Sequence, residues 1–199
     1  MEQIKMDDFL NFKYISNFKA NDQQNKACFT LAKAHLEKNE YHYDLYTLIN
    51  DKVEKLISLK KDNQVIWDNE QQLLFTYKKN KSDEKRSKEK YTRFYRYHLE
   101  EKKVKFAFEL PMPATIIKSL GDDKYVVSAK LTSNEHHLYL DKDEDRKQLL
   151  KKFKEESLYE NISELPFYSN GNGFTTNKRI QLFIYDAKNN HLDLIVDPD

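Results

Sequence analysis

The sequence predicts an all-β chain made of three copies of one four-stranded antiparallel unit. The first observation is a hairpin of two apolar-aromatic strands that recurs three times: 44–49 with 53–59, 93–97 with 104–110, and 181–186 with 192–196. The second is the spacing, since about fifty residues separate the first two hairpins, the period of propeller-type repeats. The third is the pair of shorter strands preceding each hairpin, joined by Asn-, Asp- and Gly-rich turns whose side chains tolerate tight-turn angles. The unit is the four-stranded meander of a β-propeller blade. Propellers close with about four to eight blades, so three blades make an incomplete one.

The blades span approximately 12–60, 61–111 and 112–197. In the first, Tyr14 to Phe18 is strand one, 21–25 a polar turn, and Ala27 to Ala34 strand two. In the second, Gln64 to Trp67 and Gln72 to Lys78 flank the turn 68–70. In the third, Ala114 to Leu120 and Lys124 to Thr132 flank Gly121-Asp122-Asp123. The second strands carry apolar alternation (Leu73, Phe75, Tyr77; Val127, Ala129, Leu131), as expected of strands sandwiched between neighbouring sheets. Trp67, at a strand end, is expected to pack between strands or blades.

Two insertions interrupt the pattern. Residues 78–90 are almost all charge and are expected to form a solvated, mobile loop, replaceable by a short turn at under about 1 kcal/mol. The second insertion, 134–175, delays the third hairpin. Asp141 and Glu144 have capping-box spacing, and Leu149, Leu150 and Phe153 recur at helical intervals, so 141–157 reads as an amphipathic helix. Beyond it, Pro166 forbids a regular helix. Gly171 and Gly173 mark a backbone that needs positive φ or close approach.

The chain has 199 residues, 39% apolar and 13% aromatic, enough for a core. Charge is 34% of residues yet nearly balanced at +1, which argues against a nucleic-acid or membrane-surface protein. Arg93 and Arg96 among Tyr91, Tyr95 and Tyr97 form a basic-aromatic strand, explained better by alternating strand faces than by base stacking. The single cysteine, Cys28, excludes an internal disulfide and fits a buried apolar role in a reducing, cytoplasmic compartment. Residues 1–11 lack the apolar stretch of a secretory signal, and no run approaches the roughly 20 residues of a membrane span.

Chemistry is conspicuous by its absence. Three glycines at 121, 171 and 173 leave no nucleophile elbow, P-loop or dinucleotide fingerprint. His136-His137 is the one histidine pair, and adjacent residues of an extended segment point to opposite faces. Glu155-Glu156, among Lys151, Lys152 and Lys154, reads as a solvated helix face with local ion pairs. No catalytic, cofactor-binding or metal-binding residue is assigned, no cofactor is expected, and the chain alone is expected to show no hydrolytic activity.

The segment Glu164-Leu-Pro-Phe-Tyr-Ser-Asn-Gly-Asn-Gly-Phe174, followed by Arg179 to Asp186, resembles the N-terminal propeller of the prolyl oligopeptidase family, in its acylaminoacyl-peptidase and dipeptidyl-peptidase-like branch. Ile15-Ser16-Asn17 through Tyr43-Asp44-Leu45-Tyr46 resembles that family's first blade, with Asn/Asp turns where the family uses Ser-Pro-Asp-Gly. The resemblance implies a propeller gating access to a C-terminal α/β-hydrolase domain whose Ser-Asp-His triad cleaves peptides through an acyl-enzyme. None of that triad lies in this chain. One branch grips the substrate N-terminus with a glutamate pair on a propeller insertion, but the residues flanking Glu155 and Glu156 do not match, and no role is assigned to them. The partners implied are the missing blades and hydrolase domain, with peptide as the parent's substrate. The alternative is a non-catalytic module that self-associates. Phe29, Leu31, Leu45 and Tyr46 at one end, and Val127, Leu182, Ile184 and Leu194 at the other, are expected to lie on the surfaces left bare.

Overall fold

The computed structural model describes residues 5, 7–132, 143–156, 158, 168–169, 173–174 and 178–196. Three four-stranded antiparallel sheets carry the fold. The first holds β1 (Lys13–Ala20), β2 (Lys26–His35), β3 (Glu40–Ile49) and β4 (Lys52–Leu59) in chain order. The second holds β5 (Val65–Asn69), β6 (Gln72–Thr76), β7 (Thr92–His98) and β8 (Lys103–Leu110), with α1 (Lys81–Lys88) between β6 and β7. The third holds β9 (Thr115–Gly121), β10 (Lys124–Thr132), β13 (Lys178–Asp186) and β14 (His191–Val196). Between β10 and β13 lie α2 (Asp143–Glu156) and a two-residue pair, β11 (Tyr168–Ser169) with β12 (Gly173–Phe174). The fold class is the expected one, an incomplete propeller whose sheets do not close.

Period-two patterning sets the register, because directly opposed residues share a face. In the first sheet Phe29 opposes Tyr46, and Cys28 and Thr30 oppose Thr47 and Leu45 on the other side. In the second, Phe75 opposes Tyr95 and Leu73 opposes Tyr97. In the third, Val127 opposes Phe183 and Tyr125 opposes Tyr185, all buried.

The chain divides into two compact units, one comprising residues 1–84 and 93–108, the other 85–92 and 109–199. In the first unit, Cys28, Leu45 and Leu59 from sheet one meet Val65, Leu73, Phe75, Tyr95 and Tyr97 from sheet two in a single buried cluster. Polar groups reinforce this contact. Asn17, at φ 52 in a bulge of β1, donates to Asp62 at 2.6 Å and to the Asn63 carbonyl at 3.1 Å. The bulge re-aims a side chain, a common use of such irregularities. Buried Asn21 accepts from the amides of Asn25 and Lys26 and donates to Glu70 at 2.7 Å. Half-buried Trp67 donates its indole N–H to the Lys19 carbonyl at 3.0 Å, joining the two sheets as expected, although it lies in the middle of β5 and not at a strand end.

The central residues of the tight turns are not glycine, although Gly121, at φ 83, flanks one of them. Asn50-Asp51 links β3 to β4 with φ of 50 and 59, and Asp122-Asp123 links β9 to β10 with φ of 51 and 59. Both are two-residue hairpins with both central residues left-handed, the turn that matches strand twist. The longer hairpins end on left-handed Lys102 and Asn190.

Residues 78–90 depart from expectation. Instead of a mobile loop they form α1, and Asp83 is fully buried. Asn80 and Asp83 cap the helix reciprocally: the Asn80 side chain accepts from the Asp83 amide at 3.0 Å, and Asp83 accepts from the amides of Lys79 at 2.6 Å and Asn80 at 3.1 Å. The insertion helix forms as the spacing predicts, with Leu149 buried and Leu150 and Phe153 half-buried. The expected cap Asp141, the Glu144 side chain, Pro166 and Gly171 lie outside the described residues.

Candidate functional site

Among the described residues no three His, Cys, Asp or Glu side chains converge as metal ligands. Glu155 is exposed and 4.0 Å from Lys151 along its own helix, the local ion pair its spacing predicts. The Glu156 side chain, His136 and His137 lie outside the described residues. The basic-aromatic strand is internally committed: Arg96 bonds Asp68 at 2.5 Å, and Arg93 pairs with Asp83 and stacks 4.6 Å from the Phe106 ring centroid. Cys28 is fully buried, and burial pushes its thiol up to about 12, so it is inert as a nucleophile at neutral pH.

Two polar clusters organise the insertions. In the first unit Asp83 accepts from the Tyr95 hydroxyl at 2.8 Å as well as from Arg93. Burial pushes its carboxyl up, but the Tyr95 hydroxyl, the two amides and Arg93 outweigh burial and hold it below the usual carboxylate value. In the second unit the Arg86 and Arg146 guanidinium carbons lie 3.4 and 3.5 Å from the Tyr91 ring centroid. At such distances a ring face holds only one guanidinium, so Tyr91 is sandwiched between the two. Arg86 forms a two-pronged pair with Glu109, which raises its pKa further, and Arg146 donates to the carbonyls of Glu89 at 2.5 Å and Pro111 at 2.6 Å. These contacts anchor α2 rather than build a reaction centre.

The surfaces that remain open are sheet faces. On sheet one Phe18, Phe29 and Tyr46 stack in sequence at 6.3 and 5.5 Å, and Phe18 and Val53 are each 59% exposed. On sheet three the face of Leu182 and Ile184 leaves Ile180 64% exposed, with Val196 exposed beside Leu182. The sequence places Phe29, Tyr46, Leu182 and Ile184 on these faces correctly. It misplaces Leu45 and Val127, which are fully buried on the opposite sides, and Leu194, which opposes buried Phe183, because adjacent strand positions alternate between faces. Arg146 and Asp83 escape the sequence reading altogether, although signals exist: Arg146 sits three residues before Leu149 on the apolar stripe, and Asn80-Lys-Ser-Asp83 has capping-box spacing.

No protein-family model and no curated protein matches the chain. Solved structures do. Pyrococcus horikoshii acylaminoacyl peptidase aligns over 94% of this chain and 25% of its own, with TM-score 0.59 and 13% identity. An acylaminoacyl peptidase in complex with Z-Gly-Gly-Phe-chloromethyl ketone aligns over 93% and 25%, with TM-score 0.54 and 15% identity. The AtxE2 isopeptidase aligns over 90% and 28%, with TM-score 0.54 and 10% identity. This chain thus spans about a quarter of the length of each of these chains. At such identities the likeness is one of fold: the chain is an incomplete β-propeller built like the aligned portion of acylaminoacyl peptidase.

Proposed function

We propose that this chain is the N-terminal propeller portion of a serine peptidase of the acylaminoacyl- or dipeptidyl-peptidase-like kind, restricting access to an α/β-hydrolase domain that supplies the catalytic triad. The observation that carries the reading is the alignment of 94% of the chain onto an acylaminoacyl peptidase of which it spans a quarter. The chemistry fits that division of labour. The chain's polar clusters are consumed in anchoring its own elements, and its apolar sheet faces call for neighbours. The parent's substrates are peptides, and the lone buried thiol fits a cytoplasmic setting.

The test is active-site labelling of the protein in its source cells. A fluorophosphonate probe should tag a polypeptide whose tryptic peptides include those of 1–199, while the purified chain stays unlabelled and turns over no peptide or ester. Labelling of the purified chain, or native protein containing these peptides that is never labelled, would overturn the reading. A second reading, a non-catalytic module that completes its sheets by self-association, is favoured by the two bare apolar faces.

A further inference from the structure

Two strands of the first sheet run on past their neighbours. β1 pairs with β2 only as far as Lys33, and β4 pairs with β3 only from Tyr43 on. Residues 34–42 therefore continue as a two-stranded ribbon, closed by a 3-10 helix over Leu36–Lys38. Such a ribbon is marginally stable by itself in water. On one of its faces His35 opposes Glu40 directly, and His42 lies two residues further along β3. The His35 and His42 ring centroids are 4.9 Å apart, and His42 Nε2 lies 3.5 Å from a Glu40 carboxylate oxygen. The Nδ1 atom of His35 is shielded from solvent and has no hydrogen-bond partner. A covered polar atom without a partner calls for an account, and a bound ion is one of the few that supply it.

We propose that His35, His42 and Glu40 hold a divalent transition-metal ion, of which zinc is the type, and that the ion ties β2 to β3 across the ribbon. Two imidazoles and one carboxylate form a donor set that zinc accepts, with water in the fourth position. The spacing fits pair by pair. With metal–ligand bonds of about 2.1 Å in a tetrahedron, donor atoms sit roughly 3.4 Å apart and two imidazole centroids roughly 5 Å apart. The Glu40–His42 and His35–His42 separations match those values. Among the described residues no three such side chains already enclose one point, so binding turns the His35 ring toward the other two. His42 and Glu40 are exposed and His35 is half-buried, which lets the ion enter from solvent. Lys33 opposes His42, and Lys13 opposes Lys33, on the same face. Both lysines are exposed, and their long stems let the ammonium groups swing into water, away from the ion. The proposal concerns a structural clasp and is independent of the peptidase reading.

Calorimetric titration of the purified full chain with zinc chloride tests the site. His35→Gln and His42→Gln should each weaken zinc uptake by about tenfold or more, since removing even an outer-shell partner of a ligand costs that much. Glu40→Gln should weaken it as well. His191→Gln, at a second exposed histidine beside a carboxylate, should leave this binding unchanged. Zinc should also shift the His35 and His42 imidazole resonances together and raise the hydrogen-exchange protection of amides 35–42, and a chelator should reverse both. Far-ultraviolet dichroism checks that every variant folds, and none of the changes touches the buried cluster of the first unit. A chain that takes up no zinc, or takes it up equally well in the His35→Gln and His42→Gln variants, overturns the site. Full affinity in Glu40→Gln overturns the carboxylate's part in it. Zinc that moves the two imidazoles without protecting 35–42 overturns the clasp.

Discussion

Asp83 shows how a single residue turns a charged stretch into structure. Its carboxylate closes a helix cap, meets the Tyr95 hydroxyl, and neutralises Arg93 in one buried spot. Removing one partner of such a pair strands the other, so Asp83→Ala should destabilise the chain by about 3 kcal/mol in urea unfolding. That outcome is far from the small change expected of a solvated loop. Because the folded state holds this carboxyl below its ordinary value, its contribution is present above that value and is lost as pH falls through the folded one. The wild type should therefore lose stability on acidification in the carboxylate range, and Asp83→Asn should flatten that loss. Cys28 offers an independent check of burial. With its thiol pushed up to about 12, it should resist a disulfide reagent at neutral pH and react fully once the chain is denatured.

At the scale of elements, strands were legible and helix docking was not. Alternation of apolar and polar side chains is a local signal, and it located the twelve strands of the three sheets to within a few residues. The short α1 has no such signal: its hydrophobic content is negligible, and its stability comes from Tyr95 and Arg93, distant in sequence and invisible to a window scan. The same holds for α2. Its apolar stripe was readable, but the stacking of Tyr91 between Arg86 and Arg146 is a tertiary fact. Arg146→Met keeps the stem but removes the cation and its two carbonyl bonds, so amides of 146–153 should lose hydrogen-exchange protection while those of β9, β10 and β13 keep theirs. Equal loss across the third sheet would show that Arg146 supports the sheet and not just the helix.

At the scale of the molecule, the repeat was readable from three hairpins, yet which faces lie bare was only half readable. Phe29 and Tyr46 read onto the correct surface, while neighbouring Leu45 reads onto the same one although it faces the other way. Strand neighbours point oppositely, so a bare face must be read as every second residue, and the bulges in β1, β4 and β14 shift that count. An assembly joined through such faces obeys mass action: thermal unfolding of the chain should move to higher temperature as protein concentration rises. An unfolding midpoint independent of concentration over two or more decades, with no binding of an apolar dye, would show that the open faces are thermodynamically silent.

The left-handed turn residues have a practical consequence for anyone engineering this chain. The described residues include ten non-glycine positions at positive φ, among them Asp51, Lys90, Lys102, Asp122 and Asp123. An L side chain in that conformation is strained by about 1 kcal/mol, and asparagine and aspartate soften this by bonding locally while lysine does not. The fold therefore carries a distributed reserve of unclaimed stability in its left-handed turn and cap residues. Lys90→Gly and Lys102→Gly should each raise the melting temperature by a few degrees, net of the Lys90–Phe153 and Lys102–Glu54 contacts that they remove, and Asp51→Gly and Asp123→Gly by less. If the lysine changes stabilise no more than the aspartate ones, backbone strain is not what limits these hairpins and the end of α1.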